Sequence, residues 1–131
     1  TAVAPATTAE ASFPSLPGID TVDGLRRMMN KPRLYEKVLR DFHARFIDEV
    51  AAIQSALDAG DTEAAMRRAH SAKGLAGSIG AARLQSAALA LEMALRGETR
   101  YEKEILDEFA QALKVVIDGI GNCFGLTPPA V

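Results

Sequence analysis

Tryptophan is absent from this 131-residue chain, cysteine occurs once, and tyrosine and histidine occur twice each. The lone Cys123 excludes an internal disulfide and fits a reducing compartment; near a helix end it reads as a small apolar residue. There is no basic excess, since 15 Lys and Arg stand against 17 Asp and Glu for a formal charge of −2. That balance speaks against a general nucleic-acid binder. No apolar run approaches the ~18 residues that span a bilayer. The first residues also lack the basic start and apolar stretch of a signal peptide. Two histidines without a cysteine partner or an HExxH pattern give no reason to expect a metal site, and His43 reads as a polar residue on the flank of its helix. Neither glycine group (Gly74, Gly77 and Gly80, or Gly119, Gly121 and Gly125) follows a strand pattern or ends in Gly-Lys-Ser/Thr, which argues against a nucleotide phosphate loop.

What remains is a chain rich in alanine, leucine, glutamate and arginine, a bias toward helices. Residues 1–17 are mostly Ala, Thr, Ser and Pro with one charge, Glu10, and read as a flexible linker with no apolar face to offer. On that ground residues 1–15 are expected to be dispensable. The chain opens at Thr1 rather than Met and is expected to be a piece of a longer protein. A folded domain is expected over residues 18–125, followed by a tail, 126–131, whose Pro128 and Pro129 cannot continue a helix.

Inside the domain Asp20 can cap a short helix to about Met29, with Val22, Leu25 and Met29 buried. One long helix is expected from Pro32 to Gly60, striped by Tyr35, Leu39, Phe42, Phe46, Val50, Ile53 and Leu57. Asp61 or Thr62 caps the next, striped by Ala65, Ala69, Ala72, Ala76 and Ile79 and ended by Gly80. Leu84, Ala88, Leu91 and Leu95 stripe a third, closed by Gly97. Ile105, Phe109, Leu113, Val116 and Ile120 stripe a fourth, expected to fray around Gly119 and Gly121. The fold class that follows is all-α, an antiparallel four-helix bundle with a short extra N-terminal helix.

His70 carries the functional signal. At 100° per residue it lies roughly 140° from the centre of the alanine stripe, on the solvent side. Lys73, Gly74 and Gly77 follow at plus three, four and seven on that outer face. Each interior glycine costs a helix about 1 kcal/mol relative to alanine. A pair of them implies either access to the imidazole by a bulky group or close packing of a neighbouring helix. Between Ala64 and Leu91 the charged residues are Arg67, Arg68, Lys73 and Arg83, with no acidic one. Such a local positive field suits a phosphoryl group and an acidic partner surface, although an idle solvated face would look the same.

The stretch from Ala69 to Ala81 (Ala69-His70-Ser71-Ala72-Lys73-Gly74-Leu75-Ala76-Gly77-Ser78-Ile79-Gly80-Ala81) resembles the signature of histidine-containing phosphotransfer domains, roughly A-H-x-x-K-G-x-x-x-x-[IV]-G. Leu16-Pro17-Gly18-Ile19-Asp20 with Gly24-Leu25, and the turn Ala59-Gly60-Asp61, resemble other parts of that family, so the likeness covers residues 16–120. The resemblance implies that His70 is a phosphoacceptor, that Lys73 helps hold phosphoryl oxygens, and that Gly74, with Gly77 in support, keeps the approach clear. Where the family often has a glutamine 22 positions after the histidine, this chain has Glu92, which would accept from the ring N–H and favour one tautomer. Arg67, Arg68 and Arg83 would belong to the partner surface. The implied partners are receiver domains of a response regulator and of a hybrid sensor kinase, with no nucleic acid, membrane contact or small-molecule substrate. No cofactor of its own is expected, Mg²⁺ being held by the receiver. The domain would be a phosphoryl carrier rather than an enzyme, in the cytoplasm, as at the C-terminal end of a hybrid sensor kinase. Two other readings differ in kind: an unphosphorylated helical interaction module, and a metal- or haem-binding bundle.

Overall fold

The computed structural model describes residues 13–126. These residues form six helices and no strand: α1 (Thr21–Arg27), α2 (Pro32–Phe46), α3 (Glu49–Asp58), α4 (Thr62–Ile79), α5 (Ala82–Leu95) and α6 (Lys103–Phe124). Helix α4 is central. It packs against α5, α3, α1 and α2, and α6 closes the bundle against α5 and α2. The all-α bundle with a short additional N-terminal helix is therefore the architecture of the chain.

The helix boundaries follow from local chemistry. Asp20 caps α1 by accepting from the Asp23 amide at 3.0 Å, and Asp61 caps α4 through the Ala64 amide at 3.1 Å. Pro32 opens α2, where its missing N–H costs nothing. Gly80 ends α4 with φ +88°, a left-handed conformation that a Cβ disfavours. The Ala81 amide then reaches back to the Ala76 carbonyl at 2.9 Å, and Gly80 to Gly77 at 3.2 Å. That pair of bonds is a Schellman stop. Ala65, Ala69, Ala72, Ala76 and Ile79 are all fully buried along α4. Small side chains let the neighbouring helices come close to this central one.

Four expectations need correction. The long second helix is two, because the backbone leaves helical geometry at Asp48 (φ −108°, ψ 17°) and Glu49 begins α3. The break turns Glu49 inward, where it is buried and binds Arg68 of α4. Val22 and Met29 are exposed rather than buried; α1 stops at Arg27, Met29 takes left-handed backbone beyond it, and only Leu25 of that trio enters the core. Helix α6 does not fray at Gly119 or Gly121 but runs to Phe124 and is stopped by Gly125 at φ +67°. Both glycines serve packing: a Cβ at Gly119 would stand 2.8 Å from Pro17 Cδ, and one at Gly121 3.2 Å from His43 Nε2.

The fourth correction concerns the linker. Phe13 and Leu16 are buried, and the Phe13 ring lies 4.8 Å from that of Tyr35 and 6.5 Å from that of Phe124. The folded unit thus starts no later than Phe13. Deletion through Ser15 is therefore expected to cost stability, because burying one such side chain is worth about 1.5–3 kcal/mol. Residues 1–12, and 127–131 of the expected tail, lie outside the described residues.

The end of α4 that follows the histidine motif is tied down from two sides. Tyr35 Oη donates to the Ile79 carbonyl at 2.6 Å in the core, and the Asp20 amide donates to the Gly80 carbonyl at 2.8 Å. Gly24 lies under this junction, where a Cβ would collide with Tyr35 Oη and the Ile79 carbonyl oxygen. Gly24→Ala is expected to cost about 1–3 kcal/mol through overpacking, with a further loss if the Tyr35 bond breaks. A urea melt with an unchanged midpoint would show that the junction yields without cost.

Candidate functional site

The site is built on the antiparallel pair α4 and α5. His70 lies midway along α4 with its side chain 62% exposed, and Glu92 faces it from α5 with 1% exposure. Glu92 Oε2 is 2.8 Å from His70 Nδ1. A carboxylate oxygen only accepts, so this contact places the ring hydrogen on Nδ1 and turns Nε2 toward solvent.

Glu92 is the hub of a small ionic cluster. Lys73 Nζ stands 2.8 Å from Oε1, and Nη2 of Arg96, the residue that caps the C-terminal end of α5, stands 3.1 Å from Oε2. The Lys73 ammonium is the only partner of buried Oε1 among the described residues. Burial pushes the Glu92 carboxyl pKa upward, but contact with Lys73 and His70 and the pull of both cations outweigh it. The net shift is downward, so the group is ionised at neutral pH. Arg96 is itself half exposed and also lies 3.6 Å from Glu98.

Beside the imidazole an open cavity of about 330 Å³ is lined by Met66, Arg67, His70, Ser71, Glu92 and Arg96. On its other flank, a turn along α4, Gly74 is exposed, and a Cβ built there would meet nothing within 4 Å. The ring is open on both sides.

The structure sorts the expected residues. His70, Lys73, Gly74 and Glu92 come together, with Lys73 turned toward Glu92 and only 27% exposed. Gly77 differs: a Cβ there would come within 2.5 Å of Gln85 Nε2, so this glycine faces α5 rather than open solvent. The arginines divide as well. Arg67 lines the cavity and pairs with Glu63 at 3.2 Å. Arg68, two residues before His70, is rotated about 160° from it around α4 and binds Glu49 of α3 at 3.0 Å. Arg83 precedes Glu92 by nine residues, about 13 Å along α5, and holds Glu108 of α6 at 2.9 Å. The unopposed positive field is therefore corrected, because carboxylates from other segments neutralise most of it. Arg96 is the site residue that sequence reasoning missed. Its signal was the i to i+4 spacing from Glu92, which puts both on one face of α5.

The Hpt domain family model matches residues 37–119, well over half of the chain, and spans α4, α5 and the whole site. The chain belongs to the Hpt-domain family. It is accordingly a phosphotransfer module of the two-component phosphorelay type, a carrier rather than a catalyst. No curated protein and no solved structure matches it. No helix among the described residues is long and apolar enough to cross a membrane.

The second histidine of the Hpt domain lies elsewhere. His43 is buried on α2 rather than on its flank, in a cleft of about 440 Å³ lined also by Leu113, Lys114, Ile117, Asp118 and Gly121. Burial lowers its pKa from the ordinary 6.5, against a weaker upward pull from Asp118. A histidine with a depressed folded pKa contributes nothing to pH dependence above 6.5. Below that value the unfolded chain takes up the proton first, so stability is lost as pH falls. Glu92 contributes no slope in this window, because its stabilisation is complete above the ordinary 4.5 and is lost only on further acidification. The melting temperature is therefore expected to drop between pH 7.5 and 5.5, and to drop less in His43→Gln. Parallel curves for the two proteins would remove His43 from the acid response. Cys123, in the last turn of α6, is exposed.

Proposed function

We propose that His70 is the phosphoacceptor of this Hpt domain, taking the group from a receiver-domain aspartate and passing it to the receiver of a response regulator. The observation that carries the reading is the buried Glu92 carboxylate on Nδ1, which leaves Nε2 of an exposed ring as the nucleophile. In acceptance the Nε2 lone pair attacks phosphorus, the N–P bond forms, and the acyl O–P bond breaks to release the receiver's carboxylate. The transfer needs positioning and charge neutralisation more than covalent help. Mg²⁺ on the receiver and Lys73, swinging from Glu92 to the phosphoryl oxygens, supply the neutralisation. Gly74 and the cavity on the Arg67 side leave room for the receiver's loops. Arg67 and Arg96 border the docking surface, while Arg68 and Arg83 are spent on internal pairs. A cytoplasmic module, free or at the end of a membrane-bound hybrid sensor kinase, suits this chemistry.

The test is incubation with a phosphorylated receiver, followed by analysis of the label on the Hpt domain. Acid-labile, base-stable phosphate mapped to His70 is the expected result. A bundle that binds the receiver and stays unlabelled would favour the plain interaction module.

A further inference from the structure

Attack by Nε2 leaves the phosphorylated ring with a proton still on Nδ1, and what happens to that proton decides how the group can leave. With Nδ1 protonated, cleavage of the N–P bond returns the electron pair to Nε2 and expels a neutral imidazole. If Nδ1 has lost its proton, the same cleavage must expel an imidazolate, a far poorer leaving group. The atom opposite Nδ1 is therefore a control point for donation.

In this chain that atom is a carboxylate oxygen, 2.8 Å away and on a side chain that is 1% exposed. A neutral amide at the same place would accept the hydrogen bond without opposing loss of the proton. We propose that Glu92 acts as a positioning residue in the second half of the relay, holding the Nδ1 proton on phosphorylated His70 and so keeping it a ready phosphoryl donor. This rests on His70 being the phosphoacceptor, and it concerns donation rather than acceptance.

The surrounding charges set the strength of the effect. On α4 the groups facing the ring are Lys73 and Arg67, the latter paired with Glu63; on and after α5 they are Glu92, Arg96 and Glu98. On α3, Glu49 is engaged by Arg68 on another side of α4. In the resting state Lys73 and Arg96 share the charge of Glu92 with His70. Oε1 is held by the Lys73 ammonium alone among the described residues. When Lys73 turns to the phosphoryl oxygens, Oε1 loses that partner and more of the carboxylate's field falls on Nδ1–H. Phosphorylation thus strengthens the grip on the proton that the next transfer needs.

The experiment follows phosphohistidine directly. The 131-residue chain is phosphorylated with phosphoramidate, excess donor is removed, and decay is recorded by ³¹P NMR from pH 5 to 9 with water as the acceptor. Wild type is expected to keep its fast acid-side rate to a higher pH than Glu92→Gln. A displacement of one pH unit makes the Gln variant's phosphohistidine about tenfold longer-lived on the alkaline side. Arg96→Gln, at a half-exposed position, removes a competing cation and is expected to move the profile in the opposite direction. That second variant carries the sign test should Glu92→Gln fail to fold. Superimposed profiles for folded variants, or a shift of Arg96→Gln toward lower pH, would overturn the role of Glu92. Wild type that takes no phosphate on His70 from either phosphoramidate or a phosphorylated receiver would instead overturn the proposed function.

Discussion

His70→Gln is expected to abolish phosphoryl acceptance while leaving the melt within about 0.5 kcal/mol of wild type. The two halves of that result have separate causes. Acceptance disappears because the amide has no nucleophilic nitrogen lone pair to offer phosphorus. The fold survives because the His70 side chain is largely in solvent and adds nothing to the alanine seam that α4 buries. The one structural duty of the ring is its hydrogen bond to Glu92, and a glutamine amide can donate to the same carboxylate. Labelling from a phosphorylated receiver and a thermal melt on one preparation test both halves. Residual label on His70→Gln would place the acceptor elsewhere. A large drop in melting temperature would mean that the ionic cluster around Glu92 leans on the imidazole.

The outward direction of His70 was legible because it needs only the 100° rotation of a helix and an unbroken alanine stripe. All five stripe residues are buried, so the reference direction was sound. The same rotation keeps Arg67 near His70 and turns Arg68 away from it. A window of sequence with four cations looks positive, yet Arg68 points away from His70 and Arg83 lies too far along α5. Each also meets a carboxylate from a distant segment, Glu49 and Glu108. Pairings of that kind depend on which helices become neighbours, which no single-helix pattern contains. The break at Asp48 was hidden for a related reason. Ile47 and Asp48 include neither Pro nor Gly, and Phe46 and Val50 keep a helical spacing across the interruption. Phe13 was lost in its surroundings: one aromatic among Ala, Ser and Pro hardly moves an average composition, but it found a place against Tyr35. Glu92 shows the middle case. Its alignment with His70 came from family likeness, whereas its burial and its two cations became visible only once α4 and α5 were packed together.

Gly74→Gln is expected to fold as well as wild type and to exchange phosphate with a receiver about a hundredfold more slowly. Glycine in the interior of an 18-residue helix is a poor choice on propensity alone, by about 1 kcal/mol against alanine. If packing demanded it, a Cβ would strike something, as it does at Gly24 and at Gly77. At Gly74 nothing lies within 4 Å. The fold therefore has no use for the missing side chain, and Gly74→Ala is expected to raise the melting temperature. What lies next to that space is the exposed imidazole, one turn back along α4. On the proposed function a receiver would bring its aspartyl phosphate in line with Nε2 and seat its loops on this strip of bare backbone. Glutamine would put four heavy atoms beyond Cβ into the strip, and displacing them or tilting the approach misaligns the reacting atoms. Small-molecule phosphorylation separates access from chemistry: phosphoramidate should still label Gly74→Gln at close to the wild-type rate, while the phosphorylated receiver should not. Unimpaired transfer from the receiver to a folded Gln variant would show that the strip is not the approach path. Equal slowing with both donors would show that the side chain disturbs the imidazole itself.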